Sequence, residues 1–161
     1  MYLKRCKRIP WLEARWIMQQ VFSALKYLSE QPEKIIHYDL KPHNILMNRG
    51  EIKITDFGLS KIMDPAKTNM ELTSQGVGTY WYLPPECFDS SPLISNKVDV
   101  WSAGVIFYEM LYGKKPFGHN MPQEKILKDQ VITRATSVEF PTKPNVPAET
   151  KEFIRKCLEY D

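Results

Sequence analysis

Two carboxylates and one side-chain amide lie at spacings that could bring them together around a divalent cation. Asp39 and Asn44 precede a short apolar run, Ile45–Met47, and Asp56 follows a second one, Ile52–Thr55. A Gly-containing turn between two β-prone runs predicts a β-hairpin, which folds the chain back on itself. The residues before the first strand should therefore lie beside the residue after the second. Oxygen ligands of this kind suit Mg²⁺, which usually keeps several waters and takes substrate phosphates as its other ligands.

Longer segments have the periodicity of helices that could position this hairpin. From Trp11 to Glu30, apolar residues recur at steps of three and four, which places them on one helix face as core, and Pro32 ends the pattern. A second buried helix is predicted from Asn96 to Tyr112, where Gly113 stops it. A third is predicted from Ala148 to about Tyr160.

The order of the polar residues resembles an established signature. Residues 37–44 match the pattern H-x-D-x-K-P-x-N, and residues 56–58 are the D-F-G that follows it in protein kinases. The segments IKITDFGLSK (52–61), LTSQGVGTYWYLPPE (72–86) and PFGHN (116–120) are similar to the Tousled-like serine/threonine kinases. This resemblance runs over essentially the whole chain. It implies an α+β, mainly α fold, the C-terminal lobe of a protein kinase with a small β-hairpin.

The resemblance also implies a role for each polar residue of the signature. Asp39 would orient the substrate hydroxyl and accept its proton, and Lys41 would place a positive charge on the transferring γ-phosphate. Asn44 and Asp56 would hold Mg²⁺. The residues in contact with ATP would be Lys41, Asn44, Leu46, Thr55 and Asp56. Taken alone, Asp39 could be a turn-forming residue and Asn44 a capping residue, so their functional roles depend on the combination.

The same resemblance gives other residues supporting roles. His37 would support the turn of the catalytic loop rather than act as the base. Phe57, Gly58 and Glu86 would also be structural. Asp99, in a segment that matches D-x-W-S-x-G, would accept hydrogen bonds from the backbone of the catalytic loop. A carboxylate favoured by the dipole at a helix start is a simpler explanation that is compatible with this role.

The segment from Gly78 to Glu86 resembles the substrate-docking segment of kinases that ends in A-P-E, with Pro84 in place of alanine. Thr79 would hydrogen-bond near the catalytic residues and so favour serine and threonine substrates. Tyr82 would help to shape the peptide site. The adjacent aromatic residues 80–82 would mainly pack the segment onto the lobe.

One position departs from the general kinase pattern. Tyr38 stands where most kinases have an arginine that clamps a phosphorylated residue of the activation loop. Because tyrosine cannot supply that charge, we expect activation that does not depend on the clamp, as in the Tousled-like family. Thr68, Thr73 and Ser74 are candidate phosphoacceptors in the polar segment that follows D-F-G.

Composition limits the classes of protein to which the chain can belong. With 161 residues, 43% of them apolar and 25% charged, it has the size and composition of one soluble globular domain. A net charge of +3 is too slight to favour direct binding to nucleic acid. No apolar run approaches the ~18 residues of a membrane span. Cys6, Cys87 and Cys157 are odd in number and far apart, which favours free thiols in a reducing compartment.

Several parts of a nucleotide-binding kinase are not found in residues 1–161. The Gly-rich loop, the strand lysine and the helix glutamate of the N-terminal lobe would precede Asp39, where the sequence predicts helix and linker. An arginine that pairs with Glu86 would follow Leu158. We therefore expect residues 1–161 to be a partial protein kinase domain, without its N-terminal lobe and truncated before the last helix.

Two functions remain open at this point. In the first, the chain belongs to a serine/threonine kinase of the Tousled-like type. The resemblance then implies ATP and Mg²⁺ as cofactors, a nuclear location, and protein substrates among the histone chaperones of the anti-silencing type. In the second, the chain is a non-catalytic module that binds proteins through Gly78–Glu86 and Met121–Lys128. In both cases we expect little or no phosphotransfer by this chain alone.

Overall fold

The computed structural model describes residues 6–72, 77–135 and 137–159. In these ranges the α-helices are α1 (Trp11–Ser29), α2 (Lys97–Tyr112), α3 (Gln123–Lys128) and α4 (Ala148–Cys157). The strands are β1 (Lys34–Ile36), β2 (Ile45–Asn48), β3 (Glu51–Ile54), β4 (Lys61–Met63), β5 (Met70–Glu71) and β6 (Leu93–Ile94). Single 3₁₀ turns cover Pro42–Asn44, Tyr80–Tyr82 and Pro85–Phe88. The predicted α+β, mainly α character is confirmed. Thr73, Ser74 and Tyr160 lie outside the described residues.

Helices α1 and α2 pack against each other and form the core of the described chain. The residues that α1 buries are those that its spacing predicts: Ala14, Ile17, Met18, Val21 and Leu25. Helix α2 is buried on nearly every face because α1 and α4 both pack against it. Its apolar residues therefore surround the helix instead of forming a stripe. Gly113 ends α2 in the left-handed conformation, with φ of 69°.

The predicted β-hairpin is formed by β2 and β3. The two strands pair antiparallel from Ile45 opposite Ile54 to Asn48 opposite Glu51, so the turn consists of residues 49 and 50. Both turn residues have positive φ, 47° and 89°, as a type I′ turn requires. Gln20 of α1 fixes the hairpin to the core: its Oε1 accepts the N–H of Ile52 at 3.1 Å, and its Nε2 donates to the carbonyl of residue 50 at 3.3 Å.

A second antiparallel pair joins β1 to β4, with Ile36 opposite Lys61. Strand β1 leads directly into His37, and β4 begins shortly after Gly58. This pair therefore holds together the two ends of the segment from His37 to Gly58, which contains the catalytic loop and D-F-G. The sequence did not predict it, because three-residue strands are too short to show a periodicity. None of the helices in the described part of the chain is both long enough and apolar enough to cross a membrane.

Gly104 of α2 leaves no room for a methyl group where α4 packs against it. A Cβ built at this position would lie 2.6 Å from the Cβ of Cys157. In an open helix, glycine to alanine stabilises by about 1 kcal/mol, but overpacking a core costs about 1–3 kcal/mol. We expect Gly104→Ala to lower the free energy of unfolding, measured by urea denaturation. Gln19→Ala, at an exposed position of α1, is the control. An unchanged midpoint for Gly104→Ala would show that α2 and α4 are not packed this closely.

Candidate active site

The catalytic loop is held by a carboxylate from the core. Asp99, near the start of α2, accepts the backbone N–H of His37 at 2.7 Å and that of Tyr38 at 2.9 Å. Tyr38 has φ of 69°, a left-handed conformation that is costly for a bulky residue unless its surroundings impose it. Burial raises the pKa of Asp99, while the two N–H donors favour its ionised form. The hydrogen bonds expected from Asp99 are present.

Three polar side chains meet at the centre of the loop. The ammonium of Lys41 donates to Asp39 Oδ2 at 2.5 Å and to the hydroxyl of Thr79 at 3.2 Å. The Thr79 hydroxyl donates to Asp39 Oδ1 at 2.9 Å. Because Thr79 is forty residues away from Asp39 along the chain, this contact brings the docking segment to the catalytic loop. A substrate hydroxyl at this position would meet a carboxylate and a cation together.

Asn44 links the catalytic loop to the exit of the hairpin. Its Nδ2 donates to the backbone carbonyl of Asp39 at 2.9 Å, and its own carbonyl accepts the N–H of Thr55 at 2.9 Å. Since the amide nitrogen is directed at the loop, the amide oxygen is the atom that could bind a metal. Asn44 is buried, so its orientation is fixed by the surrounding structure.

His37 has the contacts of a structural residue. It is fully buried, its Nε2 lies 2.9 Å from the carbonyl oxygen of Thr55, and its ring centroid is 4.8 Å from that of Phe57. The imidazole therefore joins the start of the catalytic loop to the D-F-G segment. Its role as a support rather than a base stays a prediction, and these contacts favour it.

The predicted metal ligands fit Mg²⁺. Asp56 is exposed and has φ of 65°, a strained conformation of the kind that clusters at functional sites. A Cβ built on Gly58 would lie 3.3 Å from Asp56 Oδ1, so a larger residue there would crowd this carboxylate. In the described ranges no group of three or more His, Cys, Asp or Glu residues could hold a metal. One carboxylate and one amide oxygen suit Mg²⁺, which binds through few protein ligands.

The other predicted contacts with ATP lie on the hairpin, at Leu46, and directly after it, at Thr55. Leu46 is opposite Lys53 in the β2–β3 pair, and its side chain is 51% exposed. The hydroxyl of Thr55 lies 3.4 Å from the carbonyl of Asn44, next to the predicted metal ligands. Phe57 is also partly exposed. The contacts of Leu46 and Thr55 with a nucleotide stay predictions, as does the structural role of Phe57.

The aromatic residues of the docking segment pack onto the lobe, as the sequence analysis expects. Tyr82 is only 7% exposed, and its hydroxyl donates to Glu109 Oε2 at 2.6 Å. Burial raises the pKa of Tyr82. Trp81 donates its indole N–H to the carbonyl of Gly118 at 2.9 Å. Because little of Tyr82 reaches the surface, direct contact with a substrate would involve a small part of this side chain.

The sequence predicts that the arginine partner of Glu86 lies beyond Leu158, with Arg155 or water as its substitute. Glu86 is half-buried and does have an interaction partner in the structure. Arg155 is exposed, pairs with Glu152 at 3.3 Å and lies 4.9 Å from the ring centroid of Phe140.

Sequence reasoning missed two charged residues beside the docking segment, Glu109 and Lys115. Their side chains form an ion pair at 3.4 Å and are 16% and 20% exposed, respectively. A glutamate within the otherwise apolar run from Val105 to Leu111 was the signal that could have drawn attention to this pair. Its partners were not evident, because they come from two other segments of the chain.

These features are those of a protein kinase, and comparison with known proteins agrees. Residues 1–161 match the family described as "Protein kinase domain", and the chain belongs to that family. It is 61% identical to "Serine/threonine-protein kinase tousled-like 2" of Xenopus tropicalis, over 99% of this chain and 24% of the relative. It is 59% identical to "Serine/threonine-protein kinase tousled-like 1" of Homo sapiens, over 99% and 22%. It is 54% identical to "Serine/threonine-protein kinase TOUSLED" of Arabidopsis thaliana, over 99% and 24%. The chain thus spans about a quarter of the length of these curated relatives.

Replacing Asp99 with asparagine tests the support of the catalytic loop. Asparagine has an NH2 donor in place of one of the two carboxylate oxygens, so in this arrangement one of the two backbone N–H groups, that of His37 or that of Tyr38, would face a donor instead of an acceptor. Hydrogen bonds to a charged group contribute about 1.5–3 kcal/mol. We expect Asp99→Asn to lower the free energy of unfolding by about 2 kcal/mol, measured by urea denaturation. The exposed change Asp129→Asn should shift it by less than about 0.5 kcal/mol. Equal stabilities of the two variants would contradict the role of Asp99.

Proposed function

We propose that this chain is part of a protein serine/threonine kinase of the Tousled-like type, which transfers the γ-phosphate of ATP to serine and threonine hydroxyls of proteins. The observation that carries the proposal is the mutual contact of Asp39, Lys41 and Thr79. In this arrangement a carboxylate and an ammonium both lie within hydrogen-bond distance of the Thr79 hydroxyl. A base for the proton of the substrate hydroxyl and a cation for the phosphoryl charge are groups that phosphoryl transfer to an alcohol needs. The names of the relatives support the choice of serine and threonine as acceptors.

Each side chain has a part in the proposed reaction. Asp39 orients the substrate hydroxyl and accepts its proton as the hydroxyl oxygen bonds to the γ-phosphorus and ADP leaves. Lys41 stabilises the negative charge of the transferring phosphoryl group. Asn44 and Asp56 would hold Mg²⁺, which neutralises phosphate charge when bound. Thr79, bound to both Asp39 and Lys41, holds these two side chains beside the proposed position of the substrate hydroxyl.

Location and substrates are finer proposals that depend on the resemblance. We extend the proposal to a nuclear setting and to histone chaperones of the anti-silencing type as substrates, because the segments that resemble the Tousled-like family include the docking segment itself. Co-purification of such chaperones with the intact protein, and their phosphorylation by it, would test this extension. The non-catalytic binding module stays the alternative, and the transfer assay below separates the two.

Transfer of radiolabelled phosphate from ATP to peptide mixtures tests the central proposal. In the intact protein that contains this chain, we expect transfer to serine and threonine acceptors and not to tyrosine. Removal of the base should lower kcat of Asp39→Asn by at least about 10²-fold. Asp129→Asn, the same change at an exposed site, should keep the parental rate. Transfer to tyrosine, or an undiminished rate in Asp39→Asn, would contradict the mechanism. Absence of any transfer would favour the binding module.

Calorimetry of residues 1–161 alone tests the proposal that this part of the protein is inactive by itself. We expect no measurable binding of Mg²⁺·ATP, because no Gly-rich loop in this sequence cradles the phosphates. Asp56→Asn is the control, since it removes the charged metal ligand. Clear binding that Asp56→Asn abolishes would show instead that this lobe forms a nucleotide site without further elements.

A further inference from the structure

Lys115 is a lysine that is largely withdrawn from solvent beside the docking segment. Its Nζ lies 3.4 Å from Glu109 Oε1, 5.3 Å from the centroid of the Trp81 ring and 5.7 Å from that of the Tyr82 ring. These four residues are called the Lys115 cluster below. Lysine usually keeps its ammonium in water. An ammonium between a carboxylate and two aromatic rings is instead held by an ion pair and by cation–π attraction.

The Lys115 cluster is fixed to the core at several points. Glu109 belongs to α2, and its second carboxylate oxygen accepts the hydroxyl of Tyr82 at 2.6 Å. Ser102, also of α2, donates to the backbone carbonyl of Tyr82 at 2.7 Å. Trp81 donates to the carbonyl of Gly118, in the same loop as Lys115. The two rings that enclose the ammonium are thus positioned by α2 on one side and by this loop on the other.

The cluster is continuous with the proposed catalytic residues. The backbone N–H of Tyr82 donates to the carbonyl of Thr79 at 2.9 Å and closes the 3₁₀ turn. The hydroxyl of Thr79, at the start of this turn, contacts both Asp39 and Lys41. A shift of Trp81 and Tyr82 would therefore move the Thr79 hydroxyl relative to the catalytic carboxylate.

We propose that Lys115 is a positioning residue for phosphoryl transfer: its ammonium neutralises Glu109 and holds the Trp81–Tyr82 turn, which places the Thr79 hydroxyl against Asp39 and Lys41. This inference rests on the proposed function. Without the ammonium, the Glu109 carboxylate loses its cation in a poorly solvated site. The substrate hydroxyl would then be misplaced. Of the residues predicted to contact ATP, Lys41 binds the Thr79 hydroxyl directly, and the other four lie on the hairpin side of the catalytic loop.

Kinetics of the intact protein test this inference with three variants. Lys115→Met keeps the length and apolar stem of the side chain but removes its charge, and we expect kcat to fall about tenfold because small misplacements of reacting groups are costly. The KM for ATP should change by less than about twofold. Lys115→Arg keeps a cation that binds carboxylates and aromatic faces, so it should restore most of the rate. Lys114→Met removes the charge of the adjacent, exposed lysine and should match the parent.

Hydrogen exchange at the Tyr82 amide, measured on the same proteins, reports the position of the turn directly. We expect faster exchange in Lys115→Met and parental exchange in Lys115→Arg and Lys114→Met. A parental kcat in Lys115→Met overturns the inference, whatever the exchange rate. The inference is also overturned if Lys115→Met loses rate per folded molecule and Lys115→Arg does not restore it. It is overturned as well if Lys115→Met raises the KM for ATP by the same factor by which it lowers kcat. If the parent itself transfers no phosphate, the proposed function fails, and this inference fails with it.

Discussion

The paired hydrogen bonds to the buried Asp99 carboxylate are the contacts on which the catalytic loop depends. They satisfy two consecutive backbone N–H groups, those of His37 and Tyr38, which are buried and would otherwise lack partners. They also stabilise the left-handed conformation of Tyr38, which turns the chain so that Asp39 faces Lys41 and Thr79. A bulky residue with positive φ persists only where the surrounding structure imposes it. Here the constraint comes from the rigid core helix α2.

The same helix holds the docking segment. Asp99, Ser102 and Glu109 are separated by three and seven residues, spacings that place them on one face of α2. The first binds the catalytic loop, and the other two bind Tyr82. A single buried face thus sets the position of two segments that are far apart in sequence. Their relative placement is what brings the Thr79 hydroxyl to Asp39.

The hairpin is the other fixed element of the site. Gln20 joins it to α1, while Asn44 and His37 join its exit, at Thr55, to the catalytic loop. Asp56 follows directly, in a strained conformation and exposed. Rigid elements therefore surround the predicted metal ligands, and the charged ligand itself remains accessible.

The sequence by itself determined the local features of this protein. The spacing of apolar residues predicted the bounds of α1 to within a residue, Gly113 marked the end of α2, and the two apolar runs predicted the hairpin. The resemblance indicated that Thr79 would lie near Asp39 and Lys41 and that Asp99 would accept hydrogen bonds from the catalytic loop, and both contacts are present. Each of these depends on neighbours in sequence or on a pattern shared with a known family.

Only the tertiary structure decided which distant groups share an environment. The pairing of β1 with β4 joins segments too short to have a recognisable period. The burial of Tyr82, the ion pair of Glu109 with Lys115 and the contact of Gly104 with Cys157 each join different parts of the chain. A charge within an apolar run indicates that a partner is needed, but it does not indicate which one. The partner is set by how the helices and loops pack, because burial and electrostatic neighbours depend on the whole fold.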